Sequence, residues 1–180
     1  MKVKLIFDPH PVLRQRAAVV PLPLSKEDET ILLALMKYVK QSRNKEYAEK
    51  HHIREGIGLA APQVGISKRM TAISFPLEDR LVEYALVNPV ILSSSVKKVA
   101  LHSGEGCLSV NEDHPGYVYR SNKIMVKAFD YLQQKEIQIT AYGFEAIVLQ
   151  HEIDHLNGVL FYDYIAKDDP FKELTNAEII

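Results

Sequence analysis

The stretch IVLQHEIDHLNG, at positions 147–158, constrains the fold of this chain more than any other. Its apolar residues cover most of the circumference of a helix, and they are Ile147, Val148, Leu149, Ile153 and Leu156. On such a helix, His151 and His155 lie one turn apart on the same face. A helix that is apolar on nearly every side is buried, and buried histidines and carboxylates are costly without a partner charge. The sequence therefore predicts a buried helix, ended by Gly158, on which two imidazoles share one divalent metal ion.

Glu152, next to the first histidine, is offset from it by about 100° around the helix. This offset places Glu152 beside the metal without occupying a coordination position, so its carboxylate is free to accept a proton from bound water. The alternative is that the five-residue match HEIDH is a chance arrangement on a surface helix, with its His and Glu side chains facing water. The apolar flanks of the motif favour the metal site.

A metal site of this kind needs a third protein ligand. One common pattern places a histidine six residues after His155, but that position is Phe161. Another pattern uses a downstream glutamate, and Glu173 and Glu178 have suitable spacing, although both lie in the polar stretch KDDPFKELTNAEII. The third candidate is Cys107, the one cysteine in the chain, because a thiolate is a strong ligand for a divalent transition metal.

The rest of the sequence predicts an α+β fold in a single domain, residues 1–180, that ends in a polar tail, residues 166–180. Short β-like runs fill positions 69–141. One long N-terminal surface helix is predicted over PLPLSKEDETILLALMKYVKQSRNKEYAEKHH, with Ser25 as its N-cap and a frayed end or loop at positions 43–52. We therefore expect mixed and antiparallel sheets packed around the metal-binding helix.

Composition excludes several classes of protein. The net charge of −1 and the pI of about 6.7 give no reason to expect a nucleic-acid or membrane partner. The apolar run at the start is too short for a signal peptide, and no stretch approaches a membrane span. A single cysteine excludes an intramolecular disulfide. We expect a cytoplasmic, monomeric protein.

A second glycine-rich stretch, REGIGLAAPQVGISK, is not a dinucleotide-binding loop. The third glycine of that fingerprint is absent, and Pro62 would break the helix that should follow. The small residues indicate a main chain pressed against another main chain, with the polar Gln63 at its end. Taken alone, the stretch is also typical of a tight loop with a surface glutamine.

The segments GIGLAAPQ, EGCLS and QHEIDHLNG stand in this order along the chain. Together they resemble the three signature motifs of the peptide deformylases, and the resemblance runs from about Pro9 to Tyr164. The long segment at 25–55 and the sequence HPGYVYR are similar to the longer form of the family, which is common in Gram-positive bacteria. The resemblance implies an enzyme that removes the formyl group from the N-formylmethionine of newly synthesised proteins.

The resemblance also implies a role for each matching residue. The metal ligands would be Cys107, His151 and His155. The catalytic groups would be Glu152 as general acid–base, and Gln63 with the backbone N–H of Leu108 as oxyanion donors. The substrate-binding residues would be Ile57, Gly58, Leu59, Gly106, Ile147 and Val148. A charged pair would support the strand that carries the cysteine, and its members would be Glu105 and Arg120.

We expect metal-bound hydroxide to attack the formyl carbon while Glu152 takes the water proton and passes it to the leaving amine. The resemblance implies ferrous iron (Fe²⁺) in the cell, although Zn²⁺, Ni²⁺ and Co²⁺ also suit these ligands. Its partners would be nascent polypeptides that begin with formylmethionine, and it would act on them near the ribosome exit. Two alternatives stay open: a small HExxH metallopeptidase that uses Glu173 or Glu178 as third ligand, and an inactive peptide-binding module.

Overall fold

The computed structural model describes residues 1–78 and 80–180. Within these residues the chain forms three α-helices and eight β-strands. The helices are α1 (Lys26–Ser42), α2 (Lys45–His51) and α3 (Gly143–Asn157). The strands are β1 (Gly58–Ala60), β2 (Met70–Leu77), β3 (Arg80–Ser94), β4 (Lys98–Ala100), β5 (Arg120–Ser121), β6 (Lys123–Asp130), β7 (Lys135–Tyr142) and β8 (Ala177–Ile179).

The strands form two sheets on either side of α3. The larger sheet is antiparallel and has the order β1-β2-β3-β6-β7. The smaller sheet has the order β5-β4-β8, in which β4 pairs antiparallel with β5 and parallel with β8. Because α3 contacts strands of both sheets, the predicted α+β architecture with a central helix is confirmed.

The two long helices cover opposite faces of the larger sheet. Successive side chains of a strand point to opposite faces, and on β2 Ala72 belongs to the core beneath α1 whereas Ile73 belongs to the core beneath α3. On β3, Ala85 and Leu86 divide in the same way. Helix α3 is therefore enclosed between the sheets, as its apolar circumference predicts.

The N-terminal helix begins as predicted but ends earlier. Ser25 is its N-cap and accepts a hydrogen bond at Oγ from the Asp28 N–H, at 3.1 Å. One apolar stripe of this helix is buried, and its members are Ile31, Leu32, Leu35, Tyr38 and Val39. The expectation of a single helix with a frayed or looped end is wrong, since residues 45–51 form the separate helix α2. Asn44 causes the break, because its side chain accepts from the Tyr47 N–H and starts a new helix.

The polar C-terminal segment contributes to the smaller sheet. Strand β8 lies beside β4, and Glu178 on β8 forms an ion pair with Lys97 at 2.7 Å. Among the helices that the structure describes, none has the length and apolar character needed to cross a membrane.

Candidate active site

Three potential metal ligands come together at the middle of the molecule. The Sγ atom of Cys107 lies 3.3 Å from Nε2 of His155, which lies 3.2 Å from Nε2 of His151. All three donor atoms are within 4.8 Å of one another. Helix α3 supplies both histidines, whereas Cys107 lies in the irregular segment between β4 and β5. The expectation that this cysteine belongs to a strand is wrong: Gly104, three residues before it, takes a φ of +72°, which interrupts an extended chain.

The spacing of these atoms suits a divalent transition-metal ion. For a tetrahedral ion with bonds of about 2.0–2.3 Å, neighbouring donor atoms lie about 3.3–3.6 Å apart. Burial holds the pKa of His155 well below its usual range, and the charges of His151 and Arg120 lower it further, so this imidazole is a neutral donor. Burial also opposes charge on His151, yet attraction to Cys107 and Glu105 outweighs it and raises its pKa to about 10. The acidic partner of His151 thus favours a positive charge at this imidazole, beside which a metal ion would lie, whereas His155 stays neutral.

A buried charge network holds the metal end of the cleft. His151 donates from Nδ1 to Glu105 at 2.7 Å, and Arg120 binds the same carboxylate through Nε and Nη2 at 2.5 and 2.9 Å. The third guanidinium nitrogen donates to Asp154 at 2.8 Å. Burial disfavours charge on Glu105, but the hydrogen bonds from His151 and Arg120 bring its pKa below the usual value. Arg120 thus connects the cysteine segment to α3, and Glu105 orients His151.

The other proposed third ligands lie away from the histidines. Within residues 1–78 and 80–180, the group of donors that can share an ion is the cysteine–histidine set. Glu178 is held by Lys97 in the smaller sheet, and Glu173 is exposed. Phe161, where one common pattern has a histidine, is buried and stacks on the His151 ring with 6.2 Å between centroids.

Glu152 lies on α3 beside the ligands and is 4% exposed. Its Oε2 accepts a hydrogen bond from Thr71 Oγ1 at 2.9 Å. Burial raises its pKa to about 7, even though His151 and Thr71 act in the opposite direction. A Cβ atom added to Gly58 would overlap this carboxylate, so the glycine lets β1 pass directly over Glu152.

A cleft of about 440 Å³ opens beside these groups. Its lining includes five of the six residues expected to bind substrate, namely Ile57, Gly58, Gly106, Ile147 and Val148. It also includes residues of the expected metal and catalytic sets, namely Gln63, Cys107, Leu108, His151 and Glu152. Leu59 is the exception, because its side chain is fully buried in the core beneath α1.

Strand β1 is an edge strand, and the hydrogen-bond pattern shows which of its groups face the open side. The Ser74 N–H donates to the Ile57 carbonyl, so this position pairs with β2. Hydrogen-bonded and non-hydrogen-bonded positions alternate along an antiparallel pair. The N–H and C=O of Gly58 therefore point away from β2, as does the N–H of Ala60, which donates to Gln63 Oε1 at 2.8 Å.

Gln63 lies in a short 3₁₀ helix, Ala61–Val64, and its side chain is held in one orientation. Its side-chain oxygen, Oε1, accepts from the Ala60 N–H, and its Nε2 donates to the Cys107 sulfur at 3.5 Å. The Ser109 N–H also donates to this sulfur, at 3.4 Å. The side-chain amide of Gln63 consequently presents N–H donors to the metal end of the cleft. It is 1% exposed, so the reading of a surface glutamine in a tight loop is wrong.

Two residues with clear contacts in the site escaped the sequence analysis. Asp154 sits inside the HEIDH motif, three residues after His151 and so on the same helix face, and that spacing was the signal for a partner of Arg120. Thr71 on β2 has no such signal, since an isolated threonine in a strand is typical of any sheet.

Comparison with known proteins gives consistent matches over most of the chain. The family model described as polypeptide deformylase matches residues 2–171. Peptide deformylase 2 of Bacillus subtilis is 51% identical over 174 residues, which cover 96% of this chain and 94% of that protein. The peptide deformylase of Ligilactobacillus salivarius is 48% identical over 170 residues, covering 92% and 91%.

Solved structures agree with these matches. A peptide deformylase from Ehrlichia chaffeensis superposes with a TM-score of 0.74 at 30% identity, covering 94% of this chain and 91% of that one. A class I type b peptide deformylase from Acinetobacter baumannii, with Met-Ala-Ser bound, superposes with a TM-score of 0.72 at 30% identity, covering 92% and 99%.

Proposed function

This chain belongs to the peptide deformylase family, whose members remove the formyl group from the N-formylmethionine of newly synthesised proteins, and from this premise we propose how its own residues carry out the reaction. The observation that carries the proposal is the convergence of a Cys-His-His donor set and a buried glutamate at one end of a cleft with an open strand edge.

Cys107, His151 and His155 hold one divalent ion in this proposal, with Fe²⁺ as the ion used in the cell and Zn²⁺, Ni²⁺ or Co²⁺ as substitutes. The donor spacing and the neutral His155 support this ligand set. When bound, a divalent ion supplies a Lewis acid that lowers the pKa of water toward about 7. Glu105 and Arg120 keep the His151 ring aimed at the ion through the hydrogen bond at Nδ1.

Glu152 moves the protons. Thr71 holds its Oε2, which leaves Oε1 on the Gly58 side, at the cleft. A pKa of about 7 suits a group that must both accept and release a proton near neutral pH. The carboxylate takes a proton from the water that attacks the formyl carbon, and then gives it to the amine that leaves as the C–N bond breaks.

Gln63 and the Leu108 N–H stabilise the oxyanion that develops on the formyl oxygen. The side-chain amide of Gln63 is fixed by Ala60 before any substrate arrives, which is the preorganisation that makes such donors effective. Leu108 follows the ligand Cys107 directly, so its N–H lies beside the same donor set.

The substrate peptide adds to the free edge of β1. The outward N–H and C=O of Gly58 bind its main chain, which reads a peptide without reading much of its sequence. Ile147 and Val148, which line the cleft on α3, receive the methionine side chain. Met-Ala-Ser bound to the Acinetobacter baumannii relative supports a peptide in this cleft.

Residues 1–180 would act as one catalytic domain. The protein would work as a cytoplasmic monomer near the ribosome exit, where formylated chains emerge.

The test is anaerobic purification followed by metal quantification and two parallel assays. We expect about one divalent ion per chain, formate release from formyl-Met-Ala-Ser, and no cleavage of an internal peptide of similar length. Cleavage of the internal peptide without formate release would instead support a metallopeptidase. Peptide binding without either reaction, in metal-loaded protein, would support an inactive binding module.

A further inference from the structure

Arg54, four residues before Gly58, is a cleft residue that the proposed reaction does not use. Its guanidinium contacts the segment that carries the cysteine. One nitrogen, Nη1, donates to the Leu108 carbonyl at 3.2 Å and to Asn111 Oδ1 at 2.9 Å. The other, Nη2, donates to the carbonyls of Cys107 at 3.5 Å and Val110 at 3.4 Å. One side chain thus gathers four acceptors from a five-residue loop, residues 107–111.

The contact with the Cys107 carbonyl bears on catalysis because that carbonyl and the Leu108 N–H belong to the same peptide unit. The peptide bond between Cys107 and Leu108 is trans, since the cis peptide bonds among the described residues are those at Asp8–Pro9 and Leu22–Pro23. In a trans peptide the C=O and the N–H point in opposite directions. The Cys107 carbonyl accepts from Arg54 at 3.5 Å and from the Val110 N–H at 3.3 Å, so Arg54 shares in holding this carbonyl and in directing the Leu108 N–H away from the guanidinium.

Arg54 is itself anchored to helix α1. The Tyr38 hydroxyl donates to the Arg54 carbonyl at 3.3 Å. The Ser42 hydroxyl contacts both the N–H and the carbonyl of Gly56, each at 3.1 Å. Helix α1 thus fixes residues 54–56, which in turn contact the loop.

An independent packing contact joins the same two segments. A Cβ atom at Gly56 would lie 2.6 Å from Leu108 Cδ1, so only a glycine lets the Leu108 side chain approach this closely. The hydrogen bonds of Arg54 and this packing contact both hold residues 54–56 against residues 107–111.

We infer that Arg54 is a positioning residue, which holds the Cys107–Leu108 peptide so that the Leu108 N–H is aimed at the developing oxyanion. This inference rests on the proposed function, because it assumes that the Leu108 N–H is an oxyanion donor. Arg54 acts through this peptide and does not touch the reacting atoms. Its effect falls on the chemical step, since an oxyanion forms only as the reaction proceeds.

The experiment compares Arg54→Ala with the unaltered zinc-loaded enzyme and with Arg43→Ala. Arg43 is the matched control, since it lies at the end of α1 and donates to Ser74, away from the loop. We expect Arg54→Ala to lower kcat on formyl-Met-Ala-Ser by about 10- to 100-fold with KM nearly unchanged, because loss of a whole oxyanion donor costs about 10²–10³ and a misplaced one costs less. Metal content should stay the same, and Arg43→Ala should match the unaltered enzyme.

A second readout does not depend on activity. In zinc-loaded protein labelled with ¹⁵N-leucine, the Leu108 amide resonance should shift in Arg54→Ala and stay in place in Arg43→Ala. Added guanidinium ion should restore part of the lost kcat, which a general loss of structure would not allow. An unchanged kcat together with an unmoved Leu108 resonance would overturn the inference.

Two further outcomes are decisive. If Arg54→Ala loses metal or unfolds, Arg54→Lys replaces it as the test variant. Lysine keeps the charge but lacks the planar guanidinium fork, so kcat should fall in part. Full activity of Arg54→Lys would overturn the inference. If the unaltered enzyme releases no formate, the proposed function fails, whereas a Leu108 shift confined to the Arg54 variants would still establish that Arg54 orients this peptide.

Discussion

The two walls of the cleft are built in different ways. The α3 wall consists of His151 and Asp154 on α3 together with Glu105, Cys107 and Arg120 from outside the helix. Its charged side chains compensate one another: Glu105, Arg120, Asp154 and His151 are joined by hydrogen bonds of 2.5 to 2.9 Å. The opposite wall, residues 54–58, presents mainly main chain. It is positioned by glycine contacts and by hydrogen bonds from Tyr38, Ser42 and Arg54.

The difference follows from what each wall is proposed to bind. A metal ion requires particular donor atoms in a rigid arrangement, so each ligand needs a partner that fixes its orientation. A peptide of varied sequence offers its backbone as the constant feature, and an open strand edge suits it. Substitutions of the proposed ligands and of the charge network in the α3 wall should therefore change metal binding and stability, while those at Glu152 and in the β1 wall should mainly change substrate turnover.

The largest effect expected is for Cys107→Ala, which removes a proposed metal ligand of the α3 wall. Loss of a partner behind a ligand costs about 10–100-fold in metal affinity, and loss of the ligand itself should cost more. After dialysis, metal analysis should find the ion gone, together with deformylase activity. Full retention of metal would show that the sulfur is not a ligand.

Glu152→Gln should come next and should separate metal binding from chemistry. The amide keeps the size of the carboxylate but cannot accept a proton, so kcat should fall by about 10²–10⁴-fold. Metal content should match the unaltered enzyme, because Glu152 contacts Thr71 rather than a donor atom of the site. Substantial remaining turnover in the metal-loaded variant would refute the proton-transfer role.

Arg120→Met tests whether the charge network stabilises the α3 wall. It leaves Glu105 and Asp154 buried without their shared partner, which should lower the free energy of unfolding by about 3–5 kcal/mol. Metal affinity should drop by about 10–100-fold. Denaturant unfolding and metal titration measure the two effects. The exposed pair of Lys97 and Glu178 provides the control, since Lys97→Met should change the unfolding free energy by less than about 1 kcal/mol.

The smallest effects are expected for two glycines on either side of the cleft. In Gly58→Ala the new methyl group meets the Glu152 carboxylate and should displace it, which lowers kcat and costs about 1–3 kcal/mol of stability. In Gly106→Ala the methyl group meets no protein atom within 4 Å, so unfolding should be unchanged while KM rises as the methyl narrows the cleft. Steady-state kinetics and thermal unfolding distinguish the two variants. If both changed kcat and KM in the same way, the expected difference between a kcat effect at Gly58 and a KM effect at Gly106 would be wrong.

The parts of the fold that local pattern controls could be predicted from the sequence. Helix α3, its end at Gly158 and the N-cap of α1 at Ser25 each depend on residues a few positions apart. The break at Asn44 was missed, because a short polar side chain can either continue a charged helix or cap a new one. Sequence could not show that Leu59 packs in the core beneath α1 while Gly58 lies against Glu152, since this depends on which face of the sheet each helix covers.

The chemistry available to this protein can be read from its sequence: two imidazoles and a carboxylate on one buried helix, one thiol, and three motifs in a fixed order. How these groups meet depends on the tertiary fold. It brings Cys107 to a histidine 48 residues further along the chain, and it joins Arg120 to Asp154 and Thr71 to Glu152. The physical reason is that helix and turn preferences act over a few residues, whereas contacts between distant segments arise from how sheets and helices pack to bury apolar surface.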